Sequence, residues 1–205
     1  MGVAIVGGGA IGSAIACFLA ADPAFDGRIV VIERDPTYRQ ASSALSAASI
    51  RQQFSTPENI RMSQFSFDWL RDAGRQLAID DTADAPASVV DVGLTEAGYL
   101  YLASVASESV LRENHAVQRA EGVDVALLPP DALAARYPWL AVDDLALGSL
   151  GLAGEGWFDG YALVAGLRSK ALSSGVEYRT TEAIGLGLER GRVASVTLAD
   201  GTTLP

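Results

Sequence analysis

The first 33 residues contain the feature that constrains the fold most. A short apolar run over 2–6 leads into Gly7-Gly8-Gly9-Ala10-Ile11-Gly12, helix-favouring residues follow over 13–21, and a second apolar run over 28–33 ends at Glu33. A buried strand, a tight turn, a helix and a second strand form a βαβ unit, whose two strands lie parallel in one sheet. The sequence therefore predicts an α/β fold of the Rossmann type at this end of the chain.

The glycines of this run match the pattern G-x-G-x-x-G, which binds the pyrophosphate of a dinucleotide when it joins a strand to a helix. Gly7 permits the tight turn, Gly9 lets the phosphates approach the backbone, and Gly12 lets the helix pack closely on the strand. The amides of Ala10 and Ile11, at the start of the helix, point towards bound phosphate. The alternative is a glycine-rich turn that holds no ligand.

Glu33 follows the last glycine by about 20 positions, the spacing of the acidic residue that binds a ribose diol. Its carboxylate would repel a 2′-phosphate, so the pattern predicts FAD or NAD. An NAD domain normally continues with a helix and a third parallel strand. Here a Ser/Ala-rich loop over 35–49, a helix over 57–70 and a hairpin of strands over 89–94 and 98–102 follow instead. This interruption favours FAD over NAD.

Composition narrows the classes of function. The net charge of -10 argues against a nucleic-acid partner or an anionic membrane surface, which require clustered Lys and Arg. Cys17 and His115 are the only cysteine and histidine, so no intramolecular disulfide and no metal site is predicted. The first apolar run starts almost at Met1, so a secretory leader is not expected, and no stretch reaches the roughly 20 apolar residues that span a bilayer. We expect a cytoplasmic protein without a membrane span.

These motifs resemble those of the D-amino-acid-oxidase-type family of FAD-dependent oxidoreductases, in the branch with sarcosine oxidase, dimethylglycine dehydrogenase and glycine oxidase. The resemblance spans nearly the whole chain, and the segments that carry it are 3–12, 31–34, 41–54 and 156–163. It implies an α/β protein with a Rossmann-like FAD-binding domain and an inserted, partly antiparallel α+β portion of a substrate domain. The implied bounds are 1–85 and 156–205 for FAD binding and 86–155 for the substrate portion.

The resemblance also implies that the chain is truncated at its C-terminus, an N-terminal portion that binds FAD weakly and turns over little. It places these residues at the cofactor: Glu33 and Arg34 at the adenosine ribose, Ser42 and Ser43 along the pyrophosphate and ribityl chain, Leu45 and Ser46 beside the flavin ring, and Ala183 at the adenine through its backbone. Ser46 stands where some relatives attach FAD through a histidine. Non-covalent FAD is therefore expected.

The activity implied is oxidation of the C–N bond of a small amine or amino acid, by hydride transfer to flavin N5 and hydrolysis of the imine. Arg51 is the candidate catalytic-site residue, because it aligns with a substrate-binding arginine of the family and its fork matches a carboxylate. Its alternative role is structural, either in an ion pair or as a cap on a loop carbonyl. Tyr99 and Tyr101 face either a pocket or one side of a sheet.

The electron acceptor is left open, and two other functions remain for the chain as a whole. One is a non-catalytic flavin-binding or assembly protein. The other is an NAD-dependent dehydrogenase.

Overall fold

The computed structural model describes residues 2–79 and 90–205. Its strands are β1 (Gly2–Val6), β2 (Arg28–Glu33), β3 (Ser49–Ile50), β4 (Thr95–Glu96), β5 (Leu100–Ala103), β6 (Val125–Leu128), β7 (Leu147–Gly151), β8 (Gly156–Trp157), β9 (Glu177–Thr180), β10 (Ala183–Glu189), β11 (Arg192–Leu198) and β12 (Thr203–Leu204). Its α-helices are α1 (Ala10–Ala21), α2 (Pro57–Arg71), α3 (Ala73–Gln76), α4 (Glu108–Ala120), α5 (Pro130–Arg136) and α6 (Gly160–Ser173).

These residues divide into two compact units. The first contains the described residues within Met1–Ala47, Gly74–Val92 and Asp159–Pro205. The second contains Ala48–Ala73 and Gly93–Phe158. Residues 48–73, which the family resemblance assigns to the first FAD-binding segment, thus group with the second unit.

The first unit contains the predicted βαβ arrangement. β2 lies between β1 and β9, and both pairings are parallel. Ile29 and Val31 of β2 pack in the core formed with α1 and α6, whereas Val30 and Ile32 pack against β11 and β12. Because both faces of β2 are buried, its sequence reads as a continuous apolar run without alternation. The Rossmann-type prediction is confirmed.

Local signals mark the ends of α6. The Asp159 carboxylate accepts hydrogen bonds of 2.9 Å from the amides of Tyr161 and Ala162, so it caps the helix start as an N-cap residue. Gly175, with φ of +87°, follows the helix end in the left-handed conformation that glycine adopts freely. Both ends of the helix are therefore marked by residues that adjoin it in sequence.

The first unit also contains an antiparallel sheet of order β10-β11-β12. Val196, Leu198 and Leu204 of this sheet are buried against β2, and Ala183 packs at the margin of the same cluster. This packing places the start of β10 beside the parallel sheet, which matters for the site described below.

The second unit is built from short antiparallel sheets of order β3-β8-β4 and β5-β7-β6. The predicted hairpin over 89–94 and 98–102 is wrong for the described residues 90–102. β4 pairs with β8 and β5 pairs with β7. Gly93 and Gly98, with φ of +59° and +75°, turn the backbone on both sides of β4 and prevent a continuous ladder between the two runs. Residue 89 lies outside the described residues.

In the parts of the chain that the structure describes, no helix has both the length and the apolar character needed to cross a membrane.

Candidate functional site

The glycine turn between β1 and α1 has the geometry that its pattern predicts. Gly7 has φ of +97°, and its amide donates a 2.8 Å hydrogen bond to the Ile32 carbonyl, which ties the turn to β2. A Cβ at Gly12 would lie 1.8 Å from the Gly7 oxygen, so only glycine fits there. A Cβ at Gly9 would meet nothing closer than the Ser43 hydroxyl at 3.9 Å. Packing requires glycine at position 12, whereas the space beside the backbone at position 9 is open.

Gly8, between Gly7 and Gly9, is held in place by hydrogen bonds to both its amide and its carbonyl. The amide of Gly8 donates to one carboxylate oxygen of Glu33 at 2.7 Å, and its carbonyl accepts from the Ser13 hydroxyl at 2.6 Å. The second oxygen of Glu33 accepts from the Asp35 amide at 2.8 Å. Glu33 therefore braces the turn as well as facing the cleft described next. Each of its oxygens retains a lone pair for a further donor.

A cleft of about 360 Å³ opens at the end of β1 and β2. It brings together five of the residues predicted for the cofactor, namely Gly7, Glu33, Arg34, Ser42 and Ala183. Its other lining residues are Val6, Ile32, Asp35, Tyr38, Gln40, Ala41, Thr181 and Glu182. The loop after β2 and the start of β10 thus meet at the carboxyl ends of parallel strands, where α/β proteins bind nucleotides.

Charge in this cleft is mostly negative. Glu33, Asp35 and Glu182 contribute carboxylates, and Arg34 pairs with Glu182 at 3.3 Å. Hydrogen bonds from the Thr37 hydroxyl and amide lower the pKa of Asp35, so it is ionised at neutral pH. A ligand with hydroxyl donors suits such a lining, whereas an additional phosphate would be repelled.

The remaining predicted cofactor residues lie outside the lining of this cleft. Ala10 and Ile11 form the first turn of α1, and the Ile11 side chain is 79% exposed. Leu45 is 75% exposed, and Ser46 is exposed beside it. The residues predicted for the adenosine ribose and the adenine therefore converge in the cleft, whereas Ala10 and Ile11, predicted for the pyrophosphate, and the residues predicted for the flavin ring do not line it.

Sequence reasoning missed several lining residues, among them Tyr38 and Thr181. Tyr38 is buried, with φ of +55°, and its hydroxyl lies 3.2 Å from where a Cβ of Gly8 would be. No pattern in the sequence indicates this position. Thr181 directly precedes the Glu182-Ala183 pair, so the prediction of Ala183 could have drawn attention to it.

Arg51 belongs to the second unit. Its guanidinium carbon lies 5.6 Å from the ring centroid of Phe54 and 6.0 Å from that of Tyr99, distances typical of cation–π contacts. The rings of Tyr99 and Tyr101 are 6.5 Å apart. No carboxylate among the described residues lies within ion-pair distance of Arg51. Its positive charge is therefore held by aromatic rings and not by a structural anion.

Burial raises the pKa of Tyr101, while the nearby Arg51 lowers it and Glu155 raises it. Since the net direction is upward, the phenol stays protonated at neutral pH and can donate a hydrogen bond.

A family model described as FAD dependent oxidoreductase matches residues 2–204. A curated protein of Xenopus laevis, FAD-dependent oxidoreductase domain-containing protein 1, is 45% identical over 176 residues, which are 85% of this chain and 34% of that protein.

Two solved structures share the fold. Glycine oxidase from Geobacillus kaustophilus has a TM-score of 0.74 at 25% identity, over 98% of this chain and 51% of that one. L-proline dehydrogenase from P. horikoshii has a TM-score of 0.75 at 22% identity, over 98% of this chain and 49% of that one. The chain thus spans about a third of the curated relative and about half of each solved chain. The predicted family and fold class are confirmed.

Proposed function

Because this chain belongs to the family of FAD-dependent oxidoreductases, we propose that it binds FAD non-covalently and serves the oxidation of a C–N bond in a small amine or amino acid. The observation that carries the cofactor part is the cleft that joins Gly7, Glu33, Arg34, Ser42 and Ala183. The names of the glycine oxidase and proline dehydrogenase neighbours support the substrate class.

The residues of the first unit fit the adenosine diphosphate half of FAD. The open position at Gly9 and the amides at the start of α1 would hold the pyrophosphate, where the helix dipole favours negative charge. Glu33 and Arg34 would hold the ribose, and the backbone of Ala183 the adenine. Three carboxylates in the cleft disfavour a 2′-phosphate, which supports FAD over a phosphorylated nicotinamide dinucleotide.

Arg51 would bind the substrate carboxylate. Its fork of donors can hold two oxygens at once, and its contacts with Phe54 and Tyr99 orient the guanidinium before substrate arrives. The protonated Tyr101 would offer a further donor. When bound, FAD supplies the two-electron acceptor for a hydride equivalent from the carbon beside the substrate nitrogen. Hydrolysis of the resulting imine releases the products.

Reconstitution with excess FAD, followed by removal of unbound cofactor, tests the cofactor part. We expect a yellow protein whose FAD is released intact by acid. Protein that folds but retains no FAD would contradict the proposal, and FAD that stays with the acid-precipitated chain would contradict non-covalent binding.

Anaerobic addition of N-methyl amino acids and D-amino acids to the FAD-loaded protein tests the reaction. We expect at least one of them to bleach the flavin absorbance, with formaldehyde or a 2-oxo acid as product. Stoichiometric FAD that no compound of this panel reduces would favour a non-catalytic flavin-binding protein. The same protein with Arg51→Ala is the control, because it should keep FAD and lose reduction. The cytoplasmic location stays a prediction.

A further inference from the structure

Glu155 is a fully buried carboxylate in the second unit. One oxygen accepts hydrogen bonds from the backbone amides of Gln52 at 2.6 Å and Gln53 at 3.1 Å. The other accepts from the Gln53 side-chain amide at 2.9 Å and from the Tyr99 backbone amide at 3.2 Å. Among the described residues no Lys or Arg lies within ion-pair distance of it. A buried carboxylate is costly unless its oxygens are satisfied, and four N–H donors satisfy this one.

The surroundings of Glu155 are shaped to keep it in place. A Cβ at Gly151 would lie 1.8 Å from its carboxylate, so no side chain fits there. Its own backbone carbonyl accepts from the amides of Ala97 at 3.1 Å and Gly98 at 3.0 Å. The Gln53 side chain is in turn fixed by the buried Ser149 hydroxyl, which donates to it at 2.7 Å. Glu155 therefore joins the segment at 52–53 to the segment at 97–99.

One of these segments directly follows Arg51, and the other contains Tyr99, whose ring contacts the Arg51 guanidinium. Gln52 follows Arg51 directly, and the Tyr99 ring lies 6.0 Å from the guanidinium carbon. The carboxylate holds the backbone amides of both Gln52 and Tyr99. Loss of that anion would release the loop and the ring together.

The two charges also act on one phenol, since Arg51 and Glu155 shift the pKa of Tyr101 in opposite directions, in addition to its burial.

We propose that Glu155 is a positioning residue for Arg51: its buried negative charge holds the backbone on which the guanidinium is aimed at a substrate carboxylate. The inference rests on the proposed function of Arg51. Glu155 touches neither substrate nor cofactor in this role. It acts by binding the main chain of the residues that flank Arg51.

Glu155→Gln keeps the shape of the side chain but replaces one acceptor oxygen with an NH₂ group. That group then faces N–H donors and cannot accept from them. Glu121→Gln is the matched control, because Glu121 is a carboxylate of the same unit that pairs with the exposed Arg61 at 2.7 Å. The probe is N-methylglycine, added to FAD-loaded protein labelled with ¹⁵N-arginine. N-methylglycinamide, which has an amide in place of the carboxylate, is the comparison ligand. The Arg51 Nε signal, identified by its absence in Arg51→Lys, reports the binding.

In Glu155→Gln we expect the dissociation constant of N-methylglycine to rise about 10-fold, the magnitude of losing a charged hydrogen-bond acceptor. The Arg51 Nε signal should shift before ligand is added. Affinity for the amide and for FAD should be unchanged, and Glu121→Gln should match the wild type. A structural role alone would lower the melting temperature without moving the Arg51 signal or the carboxylate affinity.

Arg51→Lys separates the two levels of the argument. If it binds N-methylglycine as well as the wild type does, the proposed role of Arg51 is wrong. If it weakens binding while Glu155→Gln does not, Arg51 keeps its role and the positioning by Glu155 is overturned. If Glu155→Gln does not fold, Ser149→Ala is tested in its place. It removes only the hydrogen bond from Ser149 to the Gln53 side chain. We then expect carboxylate binding to weaken about 3-fold, and unchanged binding would overturn the inference.

Discussion

The buried Ser13 hydroxyl donates a 2.6 Å hydrogen bond to the carbonyl of Gly8, in the centre of the glycine turn. The hydroxyl of Tyr178, on β9, donates to Ser13 at 3.0 Å. The turn is therefore connected through α1 to the third strand of the parallel sheet. Because the Glu33 carboxylate binds the other side of the same residue, both backbone groups of Gly8 are occupied. The shape of the turn is set before any ligand binds.

This connection predicts a graded loss of stability. Ser13→Ala should lower the free energy of unfolding by about 1–3 kcal/mol, since a buried carbonyl loses its donor. Tyr178→Phe removes only the outer bond and should cost about 1 kcal/mol. Ser169→Ala, at an exposed position of α6, is the control and should change little. Urea unfolding of the four proteins measures these differences, and equal losses for Ser13→Ala and Ser169→Ala would contradict the prediction.

The two glycines of the turn should respond differently to a methyl group. Gly12→Ala places Cβ 1.8 Å from the Gly7 oxygen. It should lower the free energy of unfolding by about 3 kcal/mol and abolish FAD binding. A Cβ at Gly9 lies no closer than 3.9 Å to the Ser43 hydroxyl and the backbone there is extended, so Gly9→Ala should leave stability unchanged within about 0.5 kcal/mol. It should still weaken FAD binding at least about 10-fold, because the methyl group occupies the approach to the backbone. Thermal unfolding and FAD titration distinguish the two; a stable Gly9→Ala with wild-type affinity would refute the assignment.

The carboxylate of Glu33 should set the preference for an unphosphorylated ribose. The wild type should bind ADP-ribose more tightly than its 2′-phosphate derivative, and Glu33→Gln should reduce that preference by about 10-fold. Calorimetric titration with both ligands gives the ratio. Glu189→Gln, an exposed carboxylate of the same unit outside the cleft, should leave it unchanged. An unaltered ratio in Glu33→Gln would mean that this carboxylate serves the turn alone.

The lowered pKa of Glu177 predicts that the stability of the protein depends on pH. Hydrogen bonds from Arg28 and then from Arg179 lower the pKa of its carboxyl in the folded state. The stabilisation is therefore present above the ordinary value of about 4.3 and is lost as pH falls through the lower folded-state pKa. The wild type should melt slightly above Glu177→Gln at neutral pH, and the difference should shrink as pH falls through the lowered folded-state pKa of Glu177. Glu189→Gln should show no such convergence.

Elements that depend on neighbours in sequence were predictable. The run at 28–33 is apolar without interruption because β2 is buried on both faces, and Asp159 caps α6 through amides two and three residues away. The partners of β4 and β5 were not predictable. β8 and β7 lie far along the chain, and nothing in the residues at 95–103 specifies which distant strand completes their hydrogen bonds.

By itself the sequence determined the βαβ unit, the glycine turn and the acidic residue at the end of β2, because turn geometry and strand burial restrict which residues can occupy those positions. Only the tertiary structure decided what surrounds them. Ser13 meets Tyr178 across 165 positions, and Glu155 meets Gln53 across 102. A serine or a glutamate has the same local signature whether it is solvated or buried. Its role is decided when folding removes water and leaves a particular donor or acceptor as its partner.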